Sequence, residues 1–368
     1  MKIAQIVPNW TQFHADKAIG IKAVVRDLTK GLLAKGHEVT LFAPDKSTFP
    51  DTHIKFSGPS LADCGSSLMD SRSPLLQHEY ARKIVQELRD FDVVHSHIEH
   101  NLLPFLNDIL MPVVSTIHGA NFQENEVNQF KKYSKGTFVA LSEGAKLALP
   151  YIHFSFVVYN GVQVETCPFF QTIQSPGYLA WMGRFAKNKG ALDAIAVAKK
   201  LNEVLVLMGI EQKNEPEYYE QVQQEADGAM IRIIHRMLGL QKYDFLGNAK
   251  ALLFPIHWEE PFGLVMVEAM ACGTPVIAYN RGSVPEIVKD GVTGFIIEPE
   301  AQGNRGNQGN RVDRVIQKTG IPGLVEAMGR IGQIDRAACR KHVEENFSVE
   351  KMVAGYEGIY GRLGKSGK

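Results

Sequence analysis

The sequence predicts an α/β chain built as two parallel, doubly wound domains in tandem, and three observations carry that expectation. At 368 residues the chain exceeds the length that one hydrophobic core organises comfortably. Short apolar runs alternate with helical patterns, the order that parallel strands with crossover helices require. The alternation also breaks off near residue 159 and restarts near residue 177, across YNGVQVETCPFFQTIQSPG, which holds Gly and Pro and shows no clear period.

Taken in order, KIAQIV, EVTLFA, VVHSHI, VVSTIH and TFVALS have strand length and strand composition, with turn residues between them. Between the first two lies VVRDLTKGLLAKGHE. Its Val24, Val25, Leu28, Leu32 and Leu33 recur at helical spacing, and Gly36 is placed to cap the carboxyl end. The second block repeats the pattern in YLAWMG, LVLMG, IRIIH, ALLFP, PVIAY and GFIIE. The expected organisation is therefore a Rossmann-like domain over 1–162, a second over 163–335, and helices over 336–368 that pack back toward the first. In that last stretch Phe347, Met352, Val353, Tyr356 and Tyr360 need a surface to bury against. The segment 300–311, EAQGNRGNQGNR, reads as a flexible surface loop. In open sheets of this kind ligands bind at the carboxyl ends of the strands, so the site is expected in a crevice there.

Composition narrows the function. Apolar residues make up 45% and charged residues 22%, an ordinary soluble balance, and 40 Lys plus Arg offset 40 Asp plus Glu. With no net charge there is no electrostatic case for nucleic acid, and an anionic ligand must be held locally. Cys64, Cys167, Cys272 and Cys339 are scattered without a Cys-x-x-Cys pair, which argues against a disulfide framework or zinc site and fits a reducing cytoplasm. The opening MKIAQIVPNW reads as a buried strand, not a leader, and no uncharged apolar run has the length of a membrane span. Weak peripheral membrane contact is left open, although no basic amphipathic helix is conspicuous.

The chemistry concentrates in EEPFGLVMVEAMACG, residues 259–273. Glu268 is the only charge between Pro261 and Asn280, in a segment whose apolar residues predict a buried helix. An unpaired buried carboxylate is costly, so Glu268 needs a partner, protein or ligand, and its apolar neighbours offer no nearby cation. Pro261 is expected at the first helical position. Glu260 would then lie in the loop after the strand ALLFP, with the N–H groups of Phe262, Gly263 and Leu264 at an anion-favouring helix start. A helix starting near 262 puts Glu268 roughly 9 Å further on at about 1.5 Å per residue. Two carboxylates so spaced suit hydroxyl pairs at two ends of one ligand. A capping carboxylate plus a satisfied core Glu is the blander alternative.

EPFGLVMVE, with the following AMACGTPVIAYNRGSVPEIVKDGVTGF, closely resembles the Glu-x7-Glu region of the retaining glycosyltransferases of family four, group 1 enzymes of the GT-B fold. The likeness extends to DLTKGLLAKGHEVTLFA, TIHG, LSE, the NGV segment and GRFAKNKG. It implies a hexose donor bound mainly by the second domain and an acceptor mainly by the first. Glu260 would contact donor-sugar hydroxyls and Glu268 the ribose hydroxyls of the nucleotide. Arg184 and Lys189 would neutralise the diphosphate, and His118 would approach the transferred sugar. Gly20 would lie beneath the diphosphate, with Phe262, Gly263 and Leu264 adding donor contacts. The implied reaction is metal-independent, with no cofactor beside the sugar nucleotide, UDP-glucose-like or alternatively GDP-mannose-like. Attack is expected from the front face, with the leaving diphosphate helping to deprotonate the acceptor, which is a lipid, polysaccharide or small metabolite.

Three positions depart from the family pattern. AIGIK carries Ile19 in place of the first of two glycines and Lys22 in place of a Glu, and Asn188 stands where Glu is frequent. A β-branched Ile19 would resist a positive φ. Ile19 and Lys22 leave open a nucleotide-binding homologue with impaired turnover, and the same two-domain scaffold leaves open a sugar-nucleotide epimerase or hydrolase. Asp90-Phe91-Asp92 matches the Asp-x-Asp of metal-dependent transferases of another fold, yet it precedes a strand and so belongs at the end away from the crevice. His95, His97, Glu99 and His100 in HSHIEH suggest a metal site only in part, since no further ligand cluster accompanies them.

Overall fold

The computed structural model describes residues 1–368 except Asp51, Met69, Lys135, Ser175, Arg236, 301–313 and 367–368. It divides into two compact units, Met1–Val162 with Val349–Lys368, and Gln163–Ser348. From residue 301 on, the expected surface loop lies outside the described residues.

The first unit runs β1 (Lys2–Ile6), α1 (Ile21–Ala34), β2 (Glu38–Ala43), β3 (His53–Phe56), α2 (Ser73–Val85), β4 (Val93–Ser96), β5 (Val113–Thr116), α3 (Glu124–Lys132), β6 (Thr137–Ala140), α4 (Glu143–Ala148) and β7 (Phe154–Val157). Its parallel sheet has the order β3-β2-β1-β4-β5-β6-β7. The central strands are covered on both faces, so β1 is mostly apolar and even the polar His95 and Ser96 of β4 are buried. Val24, Val25, Leu28 and Leu32 of α1 are buried, and Gly36 follows the helix at φ 81°. The strands β3 and β7 were not expected. Both are edge strands and half-exposed, so neither carries the apolar run that marks a central strand.

The second unit runs β8 (Tyr178–Phe185), α5 (Ala191–Leu201), β9 (Leu205–Glu211), α6 (Pro216–Glu225), β10 (Ile231–His235), α7 (Gly239–Gly247), β11 (Ala249–Phe254), α8 (Leu264–Ala271), β12 (Val276–Tyr279), α9 (Val284–Ile287), β13 (Gly294–Ile297), α10 (Gly320–Gly329) and α11 (Arg336–Asn346). Its strands follow the order β10-β9-β8-β11-β12-β13, all parallel, so the sheet reverses direction of winding between β8 and β11. In such sheets that switch point is where a crevice opens for a ligand.

The expectation of a single terminal block from residue 336 is corrected. The helix α11 belongs to the second unit, because its arginines satisfy carbonyls there. Arg336 donates to Phe170 O at 2.7 Å and Gly247 O at 2.6 Å, and Arg340 to Cys167 O at 2.6 Å and Ala271 O at 2.9 Å. Phe347 likewise packs on Phe262, with ring centroids 6.0 Å apart. The return starts at Val349, whose N–H donates to Val162 O at 3.1 Å, and continues as α12 (Val349–Ser366). Met352, Val353, Tyr356 and Tyr360 of that helix are buried in the first unit.

Candidate active site

In the second unit the switch point gathers most of the expected donor residues. Arg184 lies at the end of β8, Lys189 closes the turn Lys187–Lys189, and Glu260 follows β11. The turn presses so closely on the end of β11 that a Cβ at Gly190 would meet Pro255 O at 1.9 Å. Lys189 Nζ donates to Glu260 Oε2 at 2.6 Å and Trp258 Nε1 donates to the same oxygen at 2.9 Å. The ammonium also stands 4.3 Å from the centroid of the Trp258 ring, a cation–π contact. With side chains 14% and 12% exposed, Lys189 and Glu260 form a sheltered pair. The Arg184 side chain stands apart from this pair: it is exposed, and Nη1 donates to Gln212 Oε1 at 2.8 Å. Asn188 Oδ1 is buried with no hydrogen-bond partner among the described residues.

The helix after Glu260 starts later than the sequence suggests. Pro261 lies in the preceding turn, Gly263 is the N-cap at φ 80°, and α8 begins at Leu264. The cause is tertiary. Ser283 Oγ donates to Phe262 O at 2.7 Å, Ser283 N–H donates to Glu260 O at 2.9 Å, and Gly282 N–H donates to Glu259 Oε2 at 2.6 Å. Those bonds hold residues 259–262 as a turn. Glu268 therefore sits about 6 Å along the helix from Leu264, at about 1.5 Å per residue, not 9 Å.

Of the two kinds of partner expected for Glu268, a protein group is present. Lys242 Nζ of α7 donates to Glu268 Oε1 at 2.7 Å and lies 4.6 Å from the Tyr243 ring centroid. Lys242 is remote in sequence, and no local pattern announces it. Burial raises the nearby Cys167 thiol to about 11, with the Glu268 carboxylate adding to the rise. The two glutamates of the motif are thus each paired to one lysine through one carboxylate oxygen. A carboxylate accepts up to about four hydrogen bonds, so each is oriented by its lysine with capacity left for hydroxyls.

In the first unit His118 follows β5 and belongs to a buried polar chain. Its Nε2 is 3.0 Å from His97 Nδ1, and the His97 and His95 rings lie 4.1 Å apart. His95 hydrogen-bonds Tyr360 OH at 2.7 Å and Thr116 Oγ1 at 2.8 Å, and Thr116 Oγ1 meets Tyr356 OH at 2.9 Å. His95 and His97 thereby have protein partners, and His100 Nε2 lies 3.3 Å from Glu126 Oε1, while His97 Nε2 and His100 Nδ1 are buried without a hydrogen-bond partner among the described residues. Glu99, at φ 51°, accepts from His118 N–H at 3.2 Å and Gly119 N–H at 2.6 Å. Among the described residues no group of three His, Cys, Asp or Glu is arranged to hold a metal. Asp92 Oδ2 accepts from the backbone N–H of Lys2 at 2.7 Å, at the amino end of β1.

Burial holds both His95 and His118 down to about 3 and His97 well below its usual value, while it raises the Glu99 carboxyl to about 7. The histidines bind fewer protons folded than unfolded below about pH 6.5, so their contribution falls on acidification. Glu99 binds more protons folded between about pH 4.5 and 7 and acts in the opposite direction. Three groups against one leaves a net loss, at about 1.4 kcal/mol per pH unit for each proton of imbalance. The urea midpoint is expected to drop between pH 7 and pH 5. A flat or rising midpoint would show that these rings are not buried neutral.

The loop before α1 also differs from expectation. Gly20 is the N-cap at φ 55°, whereas Ile19 is not among the positive-φ residues, so its β-branch imposes no backbone strain. Lys22 is buried and donates to Thr11 O, Thr11 Oγ1 and Gln12 O at 2.7, 2.6 and 2.6 Å.

Two doubly wound parallel units, the second carrying a lysine-paired Glu-x7-Glu motif at its switch point, make up the GT-B fold. The solved structures that resemble the whole chain bear this out at the level of fold. Sucrose-phosphate synthase of Thermosynechococcus elongatus superposes with a TM-score of 0.76 at 19% identity, covering 99% of each chain. Anabaena HepE in complex with UDP and glucose does so at 0.73 and 15% identity, covering 98% of this chain and 100% of that one. The family follows from the sequence profiles. Residues 168–331 match "Glycosyl transferases group 1" and residues 19–166 match "Glycosyltransferase Family 4", so the chain belongs to the group 1 glycosyltransferases.

Among curated relatives, N-acetyl-alpha-D-glucosaminyl L-malate synthase of Bacillus anthracis is 34% identical over 197 residues, 51% of this chain and 46% of the relative. Glycogen synthase of Mycobacterium tuberculosis is 27% identical over 236 residues, 56% of each. The alignments thus span about half the length of the curated relatives. No helix among the described residues is long and apolar enough to cross a membrane.

Proposed function

We propose that the protein is a retaining, metal-independent hexosyltransferase of the cytoplasm that moves a hexose from a nucleotide-diphosphate sugar to an acceptor hydroxyl in carbohydrate biosynthesis. The observation that carries this reading is the pairing of Glu260 with Lys189 and of Glu268 with Lys242 in the second unit. Glu268 takes the ribose hydroxyls and Glu260 the sugar hydroxyls, each through lone pairs left beside its lysine. Lys189 and Arg184, the latter released from Gln212, stabilise the leaving diphosphate by charge-assisted contacts. The acceptor oxygen bonds to the anomeric carbon as the bond to the diphosphate oxygen breaks. The acceptor proton passes to the departing phosphate. A UDP-glucose-like donor is favoured because HepE is described with UDP and with UDP-glucose. Arabidopsis starch synthase IV, described with ADP and acarbose, supports the donor class but not the base.

The test is a calorimetric panel of nucleotide diphosphates and sugar nucleotides against the wild type and Glu268→Ala. One nucleotide class is expected to bind and to weaken about tenfold or more in the variant, as for charged hydrogen bonds of about 1.5–3 kcal/mol. No nucleotide binding at all, or equal binding by both proteins, would sink the reading.

A further inference from the structure

The first unit holds a depression of about 370 Å³ lined by Thr11, Gln12, His14, Lys17, Ile19 and Lys22 after β1 and by Ser60, Ala62 and Asp63 after β3. Its charges are unbalanced. Lys22 is only 9% exposed, and its ammonium meets two carbonyl oxygens and a hydroxyl, all neutral. No carboxylate lies within ion-pair distance of it among the described residues, and burial alone lowers its pKa to about 8. Lys17 adds a second, exposed cation to the same wall.

The acid in the wall, Asp63, offsets only one of the two cations. Asp63 accepts from Ser60 N–H at 3.2 Å, Ser60 Oγ at 2.6 Å and Gln12 Nε2 at 3.0 Å, so its carboxylate is committed to the loop. The His14 nitrogens are likewise engaged, by Thr48 Oγ1 at 2.9 Å and Gln12 Oε1 at 3.1 Å. A buried cation with neutral partners only is unfavourable unless an anion completes it, and the low-dielectric surroundings strengthen that attraction.

We infer that this depression binds an anionic group, a carboxylate or a phosphate, on a small hydroxyl-bearing acceptor. The inference rests on the transferase reading for the word acceptor, but not for the anion. Lys22 supplies the field from beneath the Thr11–Gln12 backbone, and Lys17 is the residue free to contact the ligand directly. A position where the family pattern has Glu would repel such an acceptor, so Lys22 sets the charge class of the substrate.

The experiment is titration calorimetry of the full chain at low ionic strength, with saturating nucleotide diphosphate present. The probes are L-malate for the carboxylate arm, glycerol 3-phosphate for the phosphate arm, and glycerol as the neutral control. Binding of one anion, not of glycerol, is expected. Lys22→Met should weaken it at least tenfold, Lys22→Arg less than threefold, and neither should alter nucleotide affinity, which verifies that both variants are folded. If Lys22→Met unfolds, Lys17→Met supplies the same comparison, with at least a threefold loss expected. Anion affinity indifferent to both lysines, equal binding of glycerol, or displacement of the anion by the nucleotide overturns the inference and leaves the transferase reading standing. Lysine-dependent anion binding with no nucleotide binding would keep the pocket and remove its acceptor role.

Discussion

Glu260→Gln is expected to lower turnover about 10²- to 10³-fold, the scale on which a group acting mainly in the transition state contributes, while nucleotide affinity changes by less than about threefold. The substitution preserves side-chain shape. It removes the charge that Lys189 and Trp258 hold in place at 2.6 and 2.9 Å. If Glu260 grips the sugar as the anomeric bond breaks, the loss appears in kcat with donor binding largely intact, and direct nucleotide titration reports binding separately. Glu268→Ala should behave in the opposite sense, with the loss in affinity. Equal losses in kcat and in nucleotide affinity for Glu260→Gln would mean that the residue only props the loop open for the nucleotide.

Gly282→Ala is expected to destabilise the protein by about 2–5 kcal/mol, adding a left-handed-region penalty of about 1–2 kcal/mol to an overpacking cost of about 1–3. Gly282 has φ 53°, and a Cβ there would meet Glu260 O at 2.3 Å and Glu260 N at 2.4 Å. Those are backbone atoms, which cannot rotate aside as a side chain would. Relief requires the turn carrying Glu260 to move, so turnover should fall together with Tm. Gly228→Ala is the control, because φ is 71° there but nothing lies within 4 Å of the added carbon. A Gly282→Ala protein no less stable than Gly228→Ala would show that the turn is not clamped.

The sequence was readable where burial is two-sided or periodic. The central strands β1, β8 and β11 announce themselves as largely apolar runs because both of their faces are covered. The edge strands β3 and β7 do not, having solvent on part of their surface. The start of α8 was displaced by two residues because Ser283 and Gly282, more than 20 positions along the chain from Glu260, hold the preceding turn. Local propensity contains no trace of such a restraint. The C-terminal helices divided at Val349 for a similar reason: Arg336 and Arg340 satisfy carbonyls from three separate segments of the second unit.

By itself the sequence determined the fold class, the repeat of two doubly wound units and the existence of a Glu-x7-Glu motif, because apolar periodicity and turn chemistry are local properties. Only the tertiary structure decided the partners of the charges: Lys242 for Glu268, Lys189 with Trp258 for Glu260, Gln212 for Arg184, and neutral oxygens for Lys22. Apart from Trp258, which lies two residues before Glu260, each pairing joins segments that are separate along the chain. Electrostatic energy depends on distances of a few ångströms in space, and those distances are set by packing, not by spacing in sequence.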